Sequence, residues 1–165
     1  MSELLAVRVR SLSRAACAAI AVLIFLGDQA TKTMVENSIP EYAVIPIFPS
    51  FNLTHIKNTG AAFGLFSDPA TPWKTALLIS VSAALLVAVV GTVWRSRRLH
   101  WEMSVGLALI MGGALSNLLD RIRLGRVVDF LDVYYSNYHW PAFNLADSAI
   151  VVGACFLILQ VLFSE

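Results

Sequence analysis

The chain has 165 residues, of which 58% are hydrophobic and only 14% are charged, and its net charge at neutral pH is +1. Soluble domains contain about 25% charged residues, so the composition excludes an ordinary soluble domain, and the near-neutral charge does not favour a nucleic acid partner. We therefore expect residues 1–165 to form a single integral membrane domain.

Four apolar stretches are long enough for transmembrane helices, which need about 20 residues to cross the hydrocarbon core. They cover residues 15–33, 73–94, 101–119 and 142–163. Tryptophans lie at or beside the ends of these stretches, as aromatic residues do at a membrane interface; they are Trp73, Trp94, Trp101 and Trp140. The sequence predicts four membrane-spanning helices, the first of them uncleaved.

Two longer segments connect these helices. In residues 34–72, two β-rich runs at 42–48 and 51–57 are separated by Pro49-Ser50, which predicts a small sheet or hairpin. The apolar residues 61–66 that follow predict a short interfacial helix. Residues 120–141 are rich in aromatic residues, and we expect them to form a loop at the level of the lipid headgroups.

Basic residues predict the orientation of the chain. Arg95, Arg97 and Arg98 crowd into the short connection between the second and third helices, and three more arginines precede the first helix. Short loops rich in Lys and Arg face the cytoplasm. We therefore expect both termini in the cytoplasm and both longer segments on the opposite side.

Two aspartates stand in apolar surroundings. Asp129 follows two valines, and Asp147 lies at the start of the last apolar stretch. An ionisable group at membrane depth is costly and by default indicates a functional site, and two carboxylates indicate acid–base chemistry. The alternative is that the residue types reflect a helix cap, which either Asn144 or Asp147 could supply. Asp132 lacks an apolar setting, and we leave it out of the predicted site.

Further polar residues lie near the ends of the helices. Asn117, Asp120 and Arg121 are spaced to share one helix face, and the glycines before them allow close helix packing. Taken alone, residues 28–32 could be an interfacial helix end with a snorkelling lysine, and residues 58–63 could be a simple turn. The three histidines are scattered without metal-ligand spacing, so we expect no metal and no cofactor. A metal site built on carboxylates is the alternative, but it has few candidate ligands.

At these positions the chain resembles the lipoprotein signal peptidases (signal peptidase II), aspartic proteases of the bacterial inner membrane. The matching motifs are DQATK at 28–32, NTGAAF at 58–63, GGALSNLLDR at 112–121, VVDF at 127–130 and FNLAD at 143–147. They occur in the family's order and cover the chain from the first helix to the fourth. Ser116 departs from the glycine of many members, and we expect this difference only to adjust helix packing.

The resemblance implies a membrane all-α bundle of four transmembrane helices with a small periplasmic β-sheet and a short interfacial helix. It implies a catalytic pair at Asp129 and Asp147, near the periplasmic side. We expect the residues that bind substrate or support this pair to be Asp28, Lys32, Asn58, Gly60, Gly112, Asn117, Asp120, Arg121, Asn144 and Ala146. We expect Asn117, Arg121 and Asn144 to orient the pair, and Asp28 and Asn58 to position substrate or the sheet.

The implied substrates are prolipoproteins that carry diacylglycerol on a cysteine, and the cut falls just before that cysteine. The expected partners are these substrates and membrane lipids, and the chain is expected to be a monomer. Two other classes also fit residues of this kind. A small proton-coupled transporter or channel subunit would carry intramembrane acids but needs a polar path across the membrane, and a non-enzymatic assembly factor would explain the sheet but not the two aspartates.

Overall fold

The structure of the chain, a computed structural model, describes residues 12–60, 72–96 and 99–163. In chain order its elements are α1 (Arg14–Ser38), β1 (Val44–Phe48), β2 (Phe51–Asn58), α2 (Pro72–Arg95), α3 (Trp101–Leu124), β3 (Val127–Tyr135), β4 (Tyr138–His139) and α4 (Leu145–Phe163). The interfacial helix predicted at residues 61–66 lies outside the described residues.

All four helices are long and apolar enough to cross a membrane. Their apolar stretches match the prediction, but two helices extend beyond it: α1 continues to Ser38 and α3 to Leu124. Hydropathy falls where polar residues begin, whereas backbone hydrogen bonding continues through them. Both extensions carry polar side chains past the apolar stretch, so α1 and α3 end in a hydrophilic region.

The sheet has four antiparallel strands in the order β1-β2-β3-β4. β1 and β2 form the predicted hairpin. Residues 120–141, which we expected to form a loop, instead complete α3 and contribute β3 and β4. The first four residues of β3 are all buried, so the strand lacks the alternation of buried and exposed side chains by which a half-buried strand is recognised.

The sheet packs against the end of α1. Val35 of α1 and Ile39, which follows the helix, form a buried apolar cluster with Val128 and Phe130 of β3. Because the side chains of a strand alternate between its faces, Asp129 lies on the opposite face of β3 from these two neighbours. Packing on one face of the strand therefore directs the carboxylate to the other.

Helix α4 is joined to the sheet by Phe143, two residues before its start. Phe143 accepts backbone hydrogen bonds from Phe130 and Leu131 and donates one to the carbonyl of Leu131, at 3.0, 2.8 and 3.1 Å. This pairing keeps residues before 145 extended, so α4 begins at Leu145 rather than at the predicted residue 142. It also holds the start of α4 beside β3.

Helix α3 occupies the centre of the bundle and packs closely on both sides through two glycines. A Cβ added at Gly112 would lie 2.5 Å from the carbonyl oxygen of Ala21 in α1. One added at Gly113 would overlap the carbonyl oxygen of Ala146 in α4. Adjacent glycines thus bring α1 and the first turn of α4 against the same part of α3.

Candidate active site

Helix α1 contributes a buried ion pair at its polar end. Asp28 is fully buried and Lys32 is 3% exposed, and their spacing of four residues puts them on one face of the helix. The Nζ atom of Lys32 lies 2.6 Å from Oδ2 of Asp28 and 2.6 Å from Oδ2 of Asp120 in α3. It also donates a 2.9 Å hydrogen bond to Oδ1 of Asn117. The ammonium group therefore has a partner for each of its three hydrogens.

Asn117 connects this ion pair to the start of α4. While its Oδ1 accepts from Lys32, its Nδ2 donates to Oδ1 of Asp147 at 2.8 Å. Polarisation along such a chain of hydrogen bonds strengthens each member. The buried ammonium group of Lys32 therefore polarises the amide of Asn117, which strengthens the hydrogen bond from that amide to Asp147.

Asp147 and Asn144 form a reciprocal cap at the start of α4. Oδ1 of Asn144 accepts a hydrogen bond from the backbone N–H of Asp147 at 2.9 Å, and Oδ2 of Asp147 accepts one from the N–H of Asn144 at 3.3 Å. This is the arrangement of a capping box. The alternative prediction, that Asn144 or Asp147 caps the helix, is therefore confirmed, and the cap leaves Oδ1 of Asp147 for the amide of Asn117.

Asp129 lies next to this cap. Its Oδ1 accepts a 2.7 Å hydrogen bond from Nδ2 of Asn144, and its Oδ2 accepts a 2.8 Å bond from Nδ2 of Asn58 in β2. The side chain of Asn144 thus contacts both Asp129 and the backbone of Asp147. We call these two aspartates the carboxylate pair.

The turn after β2 is held by α3. Oδ1 of Asn58 accepts from the backbone N–H of Gly60 at 2.8 Å, which forms a side-chain turn. Nη2 of Arg121 donates to the carbonyl of Gly60 at 3.2 Å, and Nη1 donates to the carbonyl of Asn117 at 3.3 Å. Arg121 therefore joins the end of α3 to the turn that carries Asn58.

The first turn of α4 is also fixed by α1. Oδ1 of Asp28 accepts a 2.8 Å hydrogen bond from the backbone N–H of Ala146, which is fully buried. An anionic side chain at a helix N-terminus is stabilised both by the free N–H groups and by the helix dipole. Asp28 therefore acts as a second cap of α4, supplied by a different helix.

Burial and a neighbouring negative charge make Asp129 hard to ionise. Desolvation, followed by the charge of Asp147, raises the pKa of Asp129 to about 7, against the opposing effect of the hydrogen bonds from Asn58 and Asn144. A carboxyl group with a pKa near 7 can hold or release a proton under physiological conditions. Two interacting carboxyl groups of this kind titrate as a pair and can share one proton.

All twelve residues predicted for the site lie in this region of the structure. Asn58 bonds to Asp129 on the neighbouring strand of the sheet, and Asp28 bonds to the start of α4, so the described contacts of the Asp28 side chain outside its own helix are with α3 and α4 rather than with the sheet. Asp132 is buried, contrary to its prediction, but its described partners are Asn52 and His139, at 2.7 and 2.8 Å. None of those contacts reaches the carboxylate pair.

Three residues of the region were absent from the predicted set. Gln29 and Ser116 donate to the buried carboxylates, and Gly113 contacts the first turn of α4. All three stand inside motifs that were recognised, so their positions were available from the sequence, but their contacts with other helices were not. The effect of Ser116 is wider than the adjusted packing that we expected, since its hydroxyl group takes part in the polar network.

The arrangement is suited to proton transfer. It combines two carboxylates, amide donors that hold them, and a lysine that is linked to Asp147 through the side chain of Asn117. Among the described residues, no group of three or more His, Cys, Asp or Glu side chains is placed to hold a metal ion.

Comparison with known sequences identifies the family. The family model described as Signal peptidase (SPase) II matches residues 20–163. A protein of Solibacter usitatus named lipoprotein signal peptidase is 43% identical over 146 residues, which cover 87% of this chain and 88% of the relative. A protein of Geobacter sulfurreducens with the same name is 44% identical over 139 residues, which cover 84% of this chain and 86% of the relative.

Two solved structures have the same fold, and each is described as a bacterial membrane enzyme. One has a TM-score of 0.82 and 29% identity and covers 93% of this chain and 91% of its own. The other has a TM-score of 0.81 and 28% identity and covers 95% of this chain and 99% of its own. With four apolar helices, this sheet and a family match over residues 20–163, the chain belongs to the signal peptidase II family of multi-pass membrane peptidases.

Proposed function

We propose that this chain is an aspartic endopeptidase in which Asp129 and Asp147 are the catalytic residues. The observation that carries the proposal is the position of Asn144, which donates to the carboxylate of Asp129 and accepts from the N–H of Asp147. One fully buried amide thereby holds both acids in a fixed relation. Such fixed geometry is what two groups need to act on one peptide bond.

The proposed mechanism divides two roles between the acids. Asp147 is the ionised member and acts as general base: it takes a proton from a water molecule as that water attacks the scissile carbonyl carbon. Asp129, with a pKa of about 7, is the protonated member and donates a hydrogen bond to the carbonyl oxygen. When the tetrahedral intermediate collapses, the C–N bond breaks and the leaving nitrogen receives a proton from the pair.

In the proposal, Asn117, Asn144 and Asn58 orient the carboxylates, and Lys32 balances their negative charge through Asn117. Arg121 braces the turn at Gly60, while Asp28, Gly112 and Ala146 fix where α1, α3 and α4 meet. Asp120 shares Lys32 with Asp28. These roles follow from the hydrogen bonds and close contacts of each side chain, and they assign the polar side chains of the predicted set to the support of the two acids.

We further propose that the substrates are diacylglyceryl-modified prolipoproteins, cut just before the lipidated cysteine. The names of the relatives support the substrate class. The exposed apolar side chains along α2 and α4, among them Leu85, Val87 and Leu159, offer a surface on which acyl chains and an apolar signal helix can lie. A site at the polar ends of α1 and α3 suits a peptide bond that lies at the edge of the bilayer.

For the orientation, we propose a monomer in the bacterial inner membrane with both termini in the cytoplasm and the carboxylate pair near the periplasmic side. The arginines around residues 95–98 and before α1 support this orientation. A proton-coupled transporter is less well supported. The buried Asp and Lys side chains among the described residues lie in α1, α3 and β3 near the sheet, whereas the acid at the opposite end of α3, Glu102, is only half-buried.

The proposal is tested with purified protein in lipid vesicles and two forms of one prolipoprotein, with and without diacylglycerol on the cysteine. We expect the lipidated form to be cut before its modified cysteine, as mass spectrometry of both products will show. An Asp129→Asn variant, prepared in the same way, controls for contaminating peptidases. Cleavage elsewhere, equal cleavage of the unmodified form, or full activity of the variant would contradict the proposal.

A further inference from the structure

Ser116 lies inside the bundle and faces the polar end of α1. It is fully buried on α3, and its hydroxyl group donates a 2.7 Å hydrogen bond to Oδ2 of Asp28. The hydroxyl oxygen of Ser116 also accepts a 2.9 Å hydrogen bond from Nε2 of Gln29. A buried hydroxyl group that uses both its donor and its acceptor capacity is a structural link between the two helices.

These bonds close a ring of five side chains. Nε2 of Gln29 also donates to Oδ1 of Asp120 at 2.7 Å. Lys32 lies 2.6 Å from Oδ2 of Asp120 and 2.6 Å from Oδ2 of Asp28, the same oxygen of Asp28 that accepts from Ser116. The ring therefore runs through Asp28, Ser116, Gln29, Asp120 and Lys32, and back to Asp28; we call it the Lys32 ring.

The Lys32 ring holds two carboxylates and one ammonium group. Lys32 is shared between Asp28 and Asp120, so neither acid has a cation of its own. Each acid has one neutral side-chain donor in addition: Ser116 for Asp28 and Gln29 for Asp120. Hydrogen bonds to the charged form stabilise a carboxylate, so these donors lessen the pull of each acid on Lys32.

The third N–H of Lys32 points out of the ring, towards the carboxylate pair. It donates to Asn117, whose amide donates in turn to Asp147. Oδ1 of Asp28 takes no part in the ring and accepts a hydrogen bond from the N–H of Ala146 at the start of α4. Both connections from α1 to the site therefore depend on the balance of bonds within the Lys32 ring.

We propose that Ser116 is a positioning residue that keeps Lys32 directed at Asn117 by supplying Asp28 with a donor of its own. Without this hydroxyl group, Asp28 is left with Lys32 and the N–H of Ala146, and it draws the ammonium group towards itself. Lys32 then moves away from Asn117, which lies on the side of the carboxylate pair. The inference rests on the catalytic roles proposed above for Asp129 and Asp147.

Ser116→Ala tests this inference, with Ser104→Ala as the matched control. Ser104 is also buried on α3, but its hydroxyl group bonds only to the carbonyl of His100 in its own helix among the described contacts. We expect Ser116→Ala to lower kcat about tenfold with KM unchanged, because a misplaced catalytic group slows the chemical step. Ser104→Ala should keep the wild-type kcat.

The pH profile separates positioning from mere packing. Desolvation and the charge of Asp147 raise the pKa of Asp129, and the positive charge of Lys32 is among the effects that lower it. As Lys32 withdraws from the pair, the pKa of Asp129 rises, and the basic limb of kcat in Ser116→Ala moves to higher pH. A variant that loses thermal stability while keeping the wild-type kcat and pH profile would overturn the inference.

A double-mutant cycle with Gln29→Ala tests whether the ring acts as a unit. If Ser116 and Gln29 act through the same Lys32 ring, the double variant should lose little more kcat than Gln29→Ala alone. Losses that multiply would show that the two residues act independently and would overturn the ring.

The proposed catalytic pair and the role of Ser116 can be disproved separately. Asp129→Asn in the same assay tests the proposed function, because its full activity contradicts the catalytic pair whatever Ser116→Ala does. If Asp129→Asn is inactive and Ser116→Ala matches Ser104→Ala in both kcat and pH profile, only the role of Ser116 is overturned.

Discussion

At the scale of the residue, each acid of the carboxylate pair is held by amides. Asp129 accepts from Asn58 and Asn144, and Asp147 accepts from Asn117. Asparagine donates without adding charge. Desolvation and the charge of Asp147 raise the pKa of Asp129 and outweigh the lowering effect of the amide hydrogen bonds. This balance gives Asp129 a pKa of about 7.

The pH dependence of the rate follows from that pKa. Desolvation and the charge of Asp147 raise the pKa of Asp129, so the pair holds its shared proton below about pH 7 and loses it above. We expect kcat/KM on a lipidated prolipoprotein to fall as pH rises through this range, with the protein still folded. A rate that instead rises steadily from pH 6 to about pH 9 would contradict the role of Asp129 as proton donor.

The sequence was sufficient to find the acids and their amides, because these lie in recognisable motifs. It was not sufficient to tell how Ser116 differs from a glycine that only allows close packing. The partners of Ser116, Asp28 and Gln29, are separated from it by 88 and 87 positions in the chain. Only the packing of α1 on α3 brings the hydroxyl group between them.

At the scale of the element, α4 is positioned by contacts at its first turn. Asp28 caps it from α1, Phe143 joins it to β3, and the carbonyl of Ala146 lies against Gly113 of α3. Asp147 belongs to the same turn. A small displacement at any of these contacts therefore moves a catalytic group.

Gly113→Ala tests this coupling of helix packing to the site. The added methyl group would overlap the carbonyl of Ala146 and push the first turn of α4 away from α3. We expect a destabilisation of about 1–3 kcal/mol and, in the folded protein, a loss of roughly 10²-fold in kcat. Thermal unfolding and the cleavage assay measure the two effects.

The matched control is Gly91→Ala in α2, where an added Cβ meets nothing within 4 Å. It should keep the wild-type rate. If Gly113→Ala does the same, the first turn of α4 is not held as tightly as its contact with α3 implies.

The secondary structure was predictable to different degrees. The four apolar stretches and the β1–β2 hairpin are visible in local patterns of the sequence. Strand β3 is not, because its buried half pairs with β2, about 70 residues earlier, and packs on the end of α1. Its pattern therefore reflects neighbours from two distant parts of the chain. The position of Asp129 on a strand, rather than in a loop, could be seen only once these neighbours were known.

At the scale of the whole molecule, the bundle separates an apolar part from a polar end. Side chains that face outward from α2 and α4 are largely apolar, whereas the buried charges lie beside the sheet. Lipid can therefore surround most of the helices, and the carboxylate pair lies where the helices meet the sheet.

The proposed orientation can be measured with single cysteines in a variant that lacks Cys17 and Cys155. Asn137 lies in the exposed turn between β3 and β4, and Ser96 follows α2. The test uses intact cells and a thiol reagent that passes the outer membrane but not the inner membrane. This reagent should label Asn137→Cys and leave Ser96→Cys unlabelled until the inner membrane is opened. The reverse pattern would contradict a periplasmic site.

The most direct test of the account compares three aspartate variants in the cleavage assay: Asp129→Asn, Asp147→Asn and Asp132→Asn. Asp132 is the matched control, because it is buried on the same strand as Asp129 but bonds to Asn52 and His139. We predict that both variants of the carboxylate pair fold in membranes and lose at least about 10³-fold in kcat, whereas Asp132→Asn keeps the wild-type rate. Cleavage at the wild-type rate by either folded variant of the pair would contradict the proposed catalytic mechanism.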